Sequence, residues 1–193
     1  MMYKLVQSKL QNVKAVNKLP VVLDVETTGL ENTDELLQVS IIDINGKILF
    51  NSYIKAVFHD SWTQSETINH INPEMVREAP ELWEVAKDIS AAIKEAPEII
   101  GYNVAFDIEM LDRFGIYVNK NAQITDVMEK FAPIYGEWSD SYGCFKWQKL
   151  VTCAAYYNYD WQNVKAHDSL ADCQATLFCY KKIIEEEEKN EQV

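Results

Sequence analysis

The chain has no Cys-x-x-Cys pair, no apolar run long enough to cross a bilayer, no internal repeat and no excess of basic residues. Each absence removes a class of protein. The four cysteines, Cys144, Cys153, Cys173 and Cys179, lack the spacing of a zinc site or a disulfide framework, so reduced thiols in a cytoplasmic protein are expected. Cys153, Cys173 and Cys179 fall within helical apolar patterns and are expected in the core. Apolar stretches near the N-terminus are short and broken by lysines, so neither a secretory signal nor a membrane span is expected. Lys and Arg number 18 against 30 Asp and Glu, for a net charge of −12, which argues against a broad electrostatic grip on a nucleic-acid duplex. What remains is one domain: 193 residues, 48% hydrophobic, can bury a substantial core.

Within that acidic chain, some of the acids are arranged. They stand as Asp24-Val25-Glu26, Asn103-x-x-Phe106-Asp107 and His167-x-x-x-x-Asp172. Val21-Val22-Leu23 is an apolar run that turns acidic at its end, as a buried central strand does on reaching its carboxyl edge. Side chains alternate along a strand, so Asp24 and Glu26 share one face. Asn103 is placed to cap a helix over 104–114, where Phe106, Met110, Leu111 and Phe114 recur at helical spacing and Asp107 lies in the first turns. His167 and Asp172 do not share a regular helix face, because five helical residues rotate about 140°. With Asp168 as N-cap, His167 lies outside the helix while Asp172 stays on its first turns. Acids gathered in one place repel each other unless divalent cations neutralise them, and an imidazole beside such cations is suited to act as a base. This is the chemistry of phosphodiester hydrolysis.

The segments D-V-E-T-T-G-L, N-V-A-F-D and H-D-S-L-A-D, in this order, resemble the three motifs of the DEDDh subgroup of DnaQ-like 3′→5′ exonucleases, which holds exonuclease X and the proofreading subunits of bacterial polymerases. The likeness spans about residues 19–184, and the stretch from Lys149 to Tyr180 resembles exonuclease X-like proteins outside the motifs as well. The resemblance implies a ribonuclease H-like α/β fold, a five-stranded mixed sheet with helices on both faces. It implies that Asp24, Glu26, Asp107 and Asp172 hold two Mg²⁺ or Mn²⁺ ions, and that His167 is the general base for release of 5′-mononucleotides. Substrate contacts implied are Thr27, Thr28 and Leu30 of the T-T-G-L segment, with Tyr102 and Asn103 beside the second motif. Many relatives carry a V-H-G-I-like segment near the nucleotide; here the stretch is Ile68-Asn69-His70-Ile71, which puts Asn69 and His70 in those places. The expected substrate is the 3′ end of single-stranded or frayed DNA, favoured over RNA. An exoribonuclease and a catalytically idle binding module are the alternatives, and association with a polymerase stays open.

The remaining pattern fits the same layers. Residues 36–43 and 47–55 alternate as strands around the hairpin signal Asn45-Gly46. Residues 81–96 form an amphipathic helix stopped by Pro97; 98–101 and 122–125 are short strands; 146–157 and 169–184 are the last helices. The expected organisation is a basic extension over 1–18, the exonuclease domain over 19–184 and an acidic tail over 185–193. The extension carries Lys4, Lys9, Lys14 and Lys18, and either follows a nucleic-acid backbone or packs on the domain through Leu5, Leu10 and Val13. Lys146, Lys149 and Lys165 are the better candidates for phosphate contacts. The aromatic segment 137–147 suits either a stacking platform or burial under a loop, with Trp147 assigned to the core. Tail and candidate ligands carry about −4 each, so two bound divalent cations would leave the rest of the domain near −4.

Overall fold

The computed structural model describes residues 17–162 and 166–191. The extension over 1–18, except its last two residues, and Lys165 lie outside the described residues. Five strands, β1 (Val21–Thr27), β2 (Leu36–Asp43), β3 (Ile48–Tyr53), β4 (Glu98–Gly101) and β5 (Gln123–Asp126), form one mixed sheet in the order β3-β2-β1-β4-β5. β1 to β3 form an antiparallel meander, while β4 and β5 run parallel to β1. The helices are α1 (Thr63–Asn69), α2 (Pro73–Val76), α3 (Leu82–Ile93), α4 (Val104–Arg113), α5 (Val127–Tyr135), α6 (Leu150–Tyr156) and α7 (Ser169–Glu191).

The alternation of β1 decides which residues meet which layer. Val21, Leu23 and Val25 face Ile89 and Ile93 of α3 and Met110 and Leu111 of α4. Val22 faces the other way, against Phe131 of α5, Cys153 of α6 and Cys173, Leu177 and Ile183 of α7. Asp24 and Glu26 share the phase of Val22 and so lie on the α7 side. Burial of each such aliphatic side chain contributes roughly 1.5–3 kcal/mol, which fixes the register that holds the acids. Directly beside Asp24 and Glu26 in the ladder stand Ser40 and Gln38 of β2, both buried polar residues. They are satisfied by the start of α7: the Ser40 and Ser169 hydroxyls lie 2.6 Å apart, the Ser169 N–H donates to Gln38 Oε1 at 3.2 Å, and Gln38 Nε2 donates to Asp168 Oδ2 at 3.2 Å.

The hairpin after β2 turns at Gly46 (φ +84°), with the Asn45 and Lys47 N–H groups donating to Asp43 Oδ1. After β4 the chain passes so close to itself that a Cβ on Gly101 would meet Val104 Cγ2 at 2.6 Å and the Leu23 carbonyl at 3.1 Å. Only glycine fits that crossing, which delivers Tyr102 and Asn103 to the sheet's carboxyl edge.

Several elements differ from the sequence expectation. The second meander strand is 36–43 as expected, but β3 is Ile48–Tyr53 and the first long helix is Leu82–Ile93, started by a reciprocal Glu81–Glu84 capping box. α1, α2 and a small hairpin, β6 (Trp138–Ser139) with β7 (Cys144–Phe145), were not anticipated. The helix expected over 146–157 is only Leu150–Tyr156, because residue 146 closes the hairpin, its N–H donating to the Glu137 carbonyl at 2.8 Å. Trp147 therefore has no helical phase to turn it inward and is 64% exposed, not in the core. The expected helical end near 184 runs on to Glu191. Cys153, Cys173 and Cys179 are buried and unpaired as expected, and Cys144 is exposed. Among the described residues no helix is long and apolar enough to cross a membrane.

Candidate active site

An open cavity of about 790 Å³ lies at the carboxyl edge of β1, and Asp24, Glu26, His70, Tyr102, Asn103, Asp107, His167 and Asp172 all line it. β1 supplies two acids from one face, the first turns of α4 supply Asp107, and the entry to α7 supplies His167 and Asp172. Ligand atoms of Glu26, His167 and Asp172 lie within 4.8 Å of one another. Asp107 is buried, and its Oδ1 accepts the Val25 N–H at 2.8 Å, which locks α4 against β1 between Asp24 and Glu26.

The break before α7 is built as the spacing predicts. Asp168 Oδ1 accepts the Leu170 and Ala171 N–H groups, each at 3.1 Å, which makes Asp168 the cap. His167 sits outside the helix at φ +70°, with its ring toward the cavity, and its N–H donates to Asp172 Oδ2 at 3.1 Å. Asn103 behaves differently from expectation. Its φ of 62° and ψ of 41° are left-handed, and its side chain caps nothing; its N–H donates to Asp126 Oδ1 at 3.0 Å and the side chain is left exposed at the cavity.

The electrostatics show a cluster short of positive charge. Burial holds the Asp24 carboxyl well above the usual range, followed by the charges of Asp107, Asp172 and Glu26. Glu26 is pushed up to about 9 by burial and then by Asp172 and Asp107, and Asp172 to about 7 mainly by burial. Asp107 is raised by burial against the pull of the Val25 N–H. His167 moves down, first through burial and then through His70 and Lys149, so its ring is neutral at physiological pH and able to accept a proton. Asp172 Oδ1 is buried with no hydrogen-bond partner among the described residues. A buried, orphaned carboxylate oxygen among raised acids fits a hard divalent cation, which takes oxygen ligands and relieves both penalties at once.

The other expected contacts divide between two cavities. Thr27, Thr28, Leu30 and Asn69 line a neighbouring one of about 540 Å³, which shares Glu26, Ile68 and Phe106 with the first. Leu30 is 77% exposed there, not a core residue. The threonine hydroxyls are committed to the loop: Thr27 Oγ1 donates to the Gly29 carbonyl at 2.6 Å and Thr28 Oγ1 to Asp34 Oδ1 at 2.8 Å. Asn69 is buried and donates to the Thr27 carbonyl at 3.2 Å, whereas His70, at φ 59°, opens onto the first cavity. The Tyr102 hydroxyl is also committed, donating to the Gln148 carbonyl at 2.8 Å. Sequence reasoning missed Phe106 as the wall between the cavities, because its helical spacing reads as core. It also missed Gln38, for which a polar residue inside an apolar strand was the only signal.

Residues 21–180 match the exonuclease family RNase_T. The chain belongs to that exonuclease family. An uncharacterized exonuclease, CP81, of Escherichia phage 186 is 30% identical over 166 aligned residues, covering 80% of this chain and 82% of the phage protein. The PolC-type DNA polymerase III of Staphylococcus aureus is 27% identical over 187 residues; this exonuclease spans 92% of its own length there but 12% of the polymerase. Among solved structures, E. coli exonuclease I in complex with a dT13 oligonucleotide superposes with a TM-score of 0.68 at 20% identity, covering 86% of this chain and 41% of that one. Exonuclease X in complex with 5′ overhanging duplex DNA gives 0.64 at 17% identity, covering 86% and 92%. The exonuclease thus has the ribonuclease H-like fold that its three DnaQ-like motifs implied.

Proposed function

We propose that this exonuclease hydrolyses the terminal phosphodiester bond at the 3′ end of single-stranded or frayed DNA, as a DEDDh-type enzyme releasing 5′-mononucleotides. The observation that carries the reading is the convergence of Glu26, His167 and Asp172 within 4.8 Å of one another at one cavity, with Asp24 and Asp107 beside them. Asp24, Glu26, Asp107 and Asp172 would hold two Mg²⁺ or Mn²⁺ ions, and the orphaned Oδ1 of Asp172 supports that role. Such ions supply Lewis-acid polarisation of the phosphate and of the attacking water. His167, neutral and outside its helix, would take a proton from the attacking water as the water oxygen bonds to phosphorus and the P–O3′ bond breaks, the leaving 3′-oxygen taking a proton from solvent. Exposed Leu30 and the shared wall Phe106 would meet the base of the terminal nucleotide, while Thr27, Thr28 and Asn69 shape the loop that presents Leu30, and His70, Tyr102 and Asn103 line the phosphate side.

DNA is favoured over RNA because the similar proteins include a DNA polymerase and exonucleases solved with DNA strands. Incubation of matched DNA and RNA oligomers with Mg²⁺, Mn²⁺ or chelator, followed by chromatography of the products, tests the reading. Stepwise release of 5′-mononucleotides from the DNA 3′ end, abolished by chelator, is expected. Faster digestion of RNA would replace DNA with RNA as substrate, and no release from either strand would overturn the enzymatic reading of this chain's site.

A further inference from the structure

Trp147 stands out among the aromatics of this chain. It is 64% exposed, yet it lines the same cavity as Glu26, His167 and Asp172. Its exposure is not that of a frayed end. On one side Lys146 is tied twice to Glu137, by its N–H to the carbonyl at 2.8 Å and by its ammonium to the carboxylate at 2.7 Å. On the other side Gln148 is tied to Tyr102 through its carbonyl at 2.8 Å and to Glu137 Oε2 through its side chain at 3.0 Å. Two anchored neighbours thus hold an indole in the open, and among the described residues it packs against no other ring. Lys149, two residues on, faces the same cavity and makes no ion pair among the described residues. Beyond Trp147 the surface continues as the β6–β7 hairpin, with Trp138 and Phe145 in edge contact at 5.2 Å and Tyr142 86% exposed at the tip.

We propose that Trp147 and Lys149 form a subsite for the single strand just beyond its terminal nucleotide, Trp147 stacking on a base and Lys149 meeting a backbone phosphate, with the strand leaving over the β6–β7 hairpin. A flat π face beside a cation matches a polynucleotide, whose every unit offers a base face and a phosphate. Continuity with the acid cluster places that strand's end at the reacting groups, so the inference rests on the exonuclease reading for its direction. It also explains how an acidic protein grips its substrate, through stacking and one phosphate contact instead of a basic field.

The test is binding, by fluorescence anisotropy in Mg²⁺, of phosphorothioate-protected single strands of about 12 nucleotides, in DNA and in RNA, a length within the usual span of such sites. Trp147→Leu keeps apolar bulk without a ring, and Trp147→Phe keeps a ring. The leucine variant should bind at least one of the two strands about tenfold more weakly, with the phenylalanine variant within about threefold of the parent. Lys149→Gln should flatten the salt dependence by about 0.7 in the log–log slope, one phosphate's share. Equal binding of both strands by parent and Trp147→Leu, or no binding by the parent, overturns the subsite. Binding with the expected Leu–Phe contrast but no nucleotide release from unprotected strands sinks the exonuclease reading and leaves the subsite standing.

Discussion

Asp107 Oδ1 accepts the Val25 N–H at 2.8 Å, so the acid of the second motif is hydrogen-bonded to the backbone between the two acids of the first. One side chain therefore serves two ends: an oxygen for the cluster and an acceptor for a buried amide.

Those ends separate on substitution. Asp107→Asn retains a carbonyl acceptor, whereas Asp107→Ala strands the buried Val25 N–H at a cost of about 1–3 kcal/mol. Both variants should lose turnover, and the alanine protein should unfold at lower denaturant than the asparagine protein. Urea titration compares them; identical midpoints would show that the hydrogen bond contributes nothing.

Without divalent cations the folded protein should weaken as pH rises. Asp172 and Glu26 titrate near 7 and 9 when folded, against about 4 in an unfolded chain. Between those limits the folded state keeps protons that the unfolded state has released, so stability is full at the acid end and is lost toward the folded values. In chelator the Tm should fall steadily from about pH 5.5 to 8. Mg²⁺ or Mn²⁺ should flatten the slope, and a Tm independent of both pH and metal would argue against a neutralised acid cluster.

His167→Ala should slow hydrolysis by about 10²–10⁴-fold while metal binding, followed by calorimetry, is largely kept. Asp24→Ala and Asp172→Ala should abolish turnover with the fold intact. If His167→Ala matched the parent rate across the pH range, the ring would have no part in proton transfer.

Asp168 positions rather than reacts. Its Oδ1 caps α7 and its Oδ2 accepts from Gln38, so Asp168→Ala should cost about 0.5–2 kcal/mol through the lost cap. Displacement of His167 should lower kcat with little change in KM, and Asp168→Asn should recover part of both. A fall in stability alone, with kcat unchanged, would limit Asp168 to its capping role.

Most of the sheet was legible because β1, β2 and β4 announce themselves through apolar runs and alternation, and because Asn45-Gly46 fixes the hairpin. The five acid and imidazole residues were legible because the strand period puts Asp24 with Glu26 and the helical period separates His167 from Asp172. What escaped depended on contacts distant in sequence. Trp147 reads as core only if the following helix starts early, and the Glu137 carbonyl, which the local pattern does not reveal, prevents that. Asn103 reads as a cap by residue type, yet its backbone is left-handed and its N–H is held by Asp126, a partner 23 residues away in sequence. Short helices such as α2 leave no periodicity, although Asn72-Pro73 is a start signal, with Asn72 accepting the Met75 N–H at 3.0 Å.

The acids arrive from β1, α4 and the entry to α7, and the last of these bears on synthesis. A ribosome extrudes Asp24, Glu26 and Asp107 several seconds before His167 and Asp172, at about 5–20 residues per second. Until then the growing polypeptide has neither the imidazole nor the last carboxylate of the proposed site, so hydrolysis by that site waits on the entry to α7.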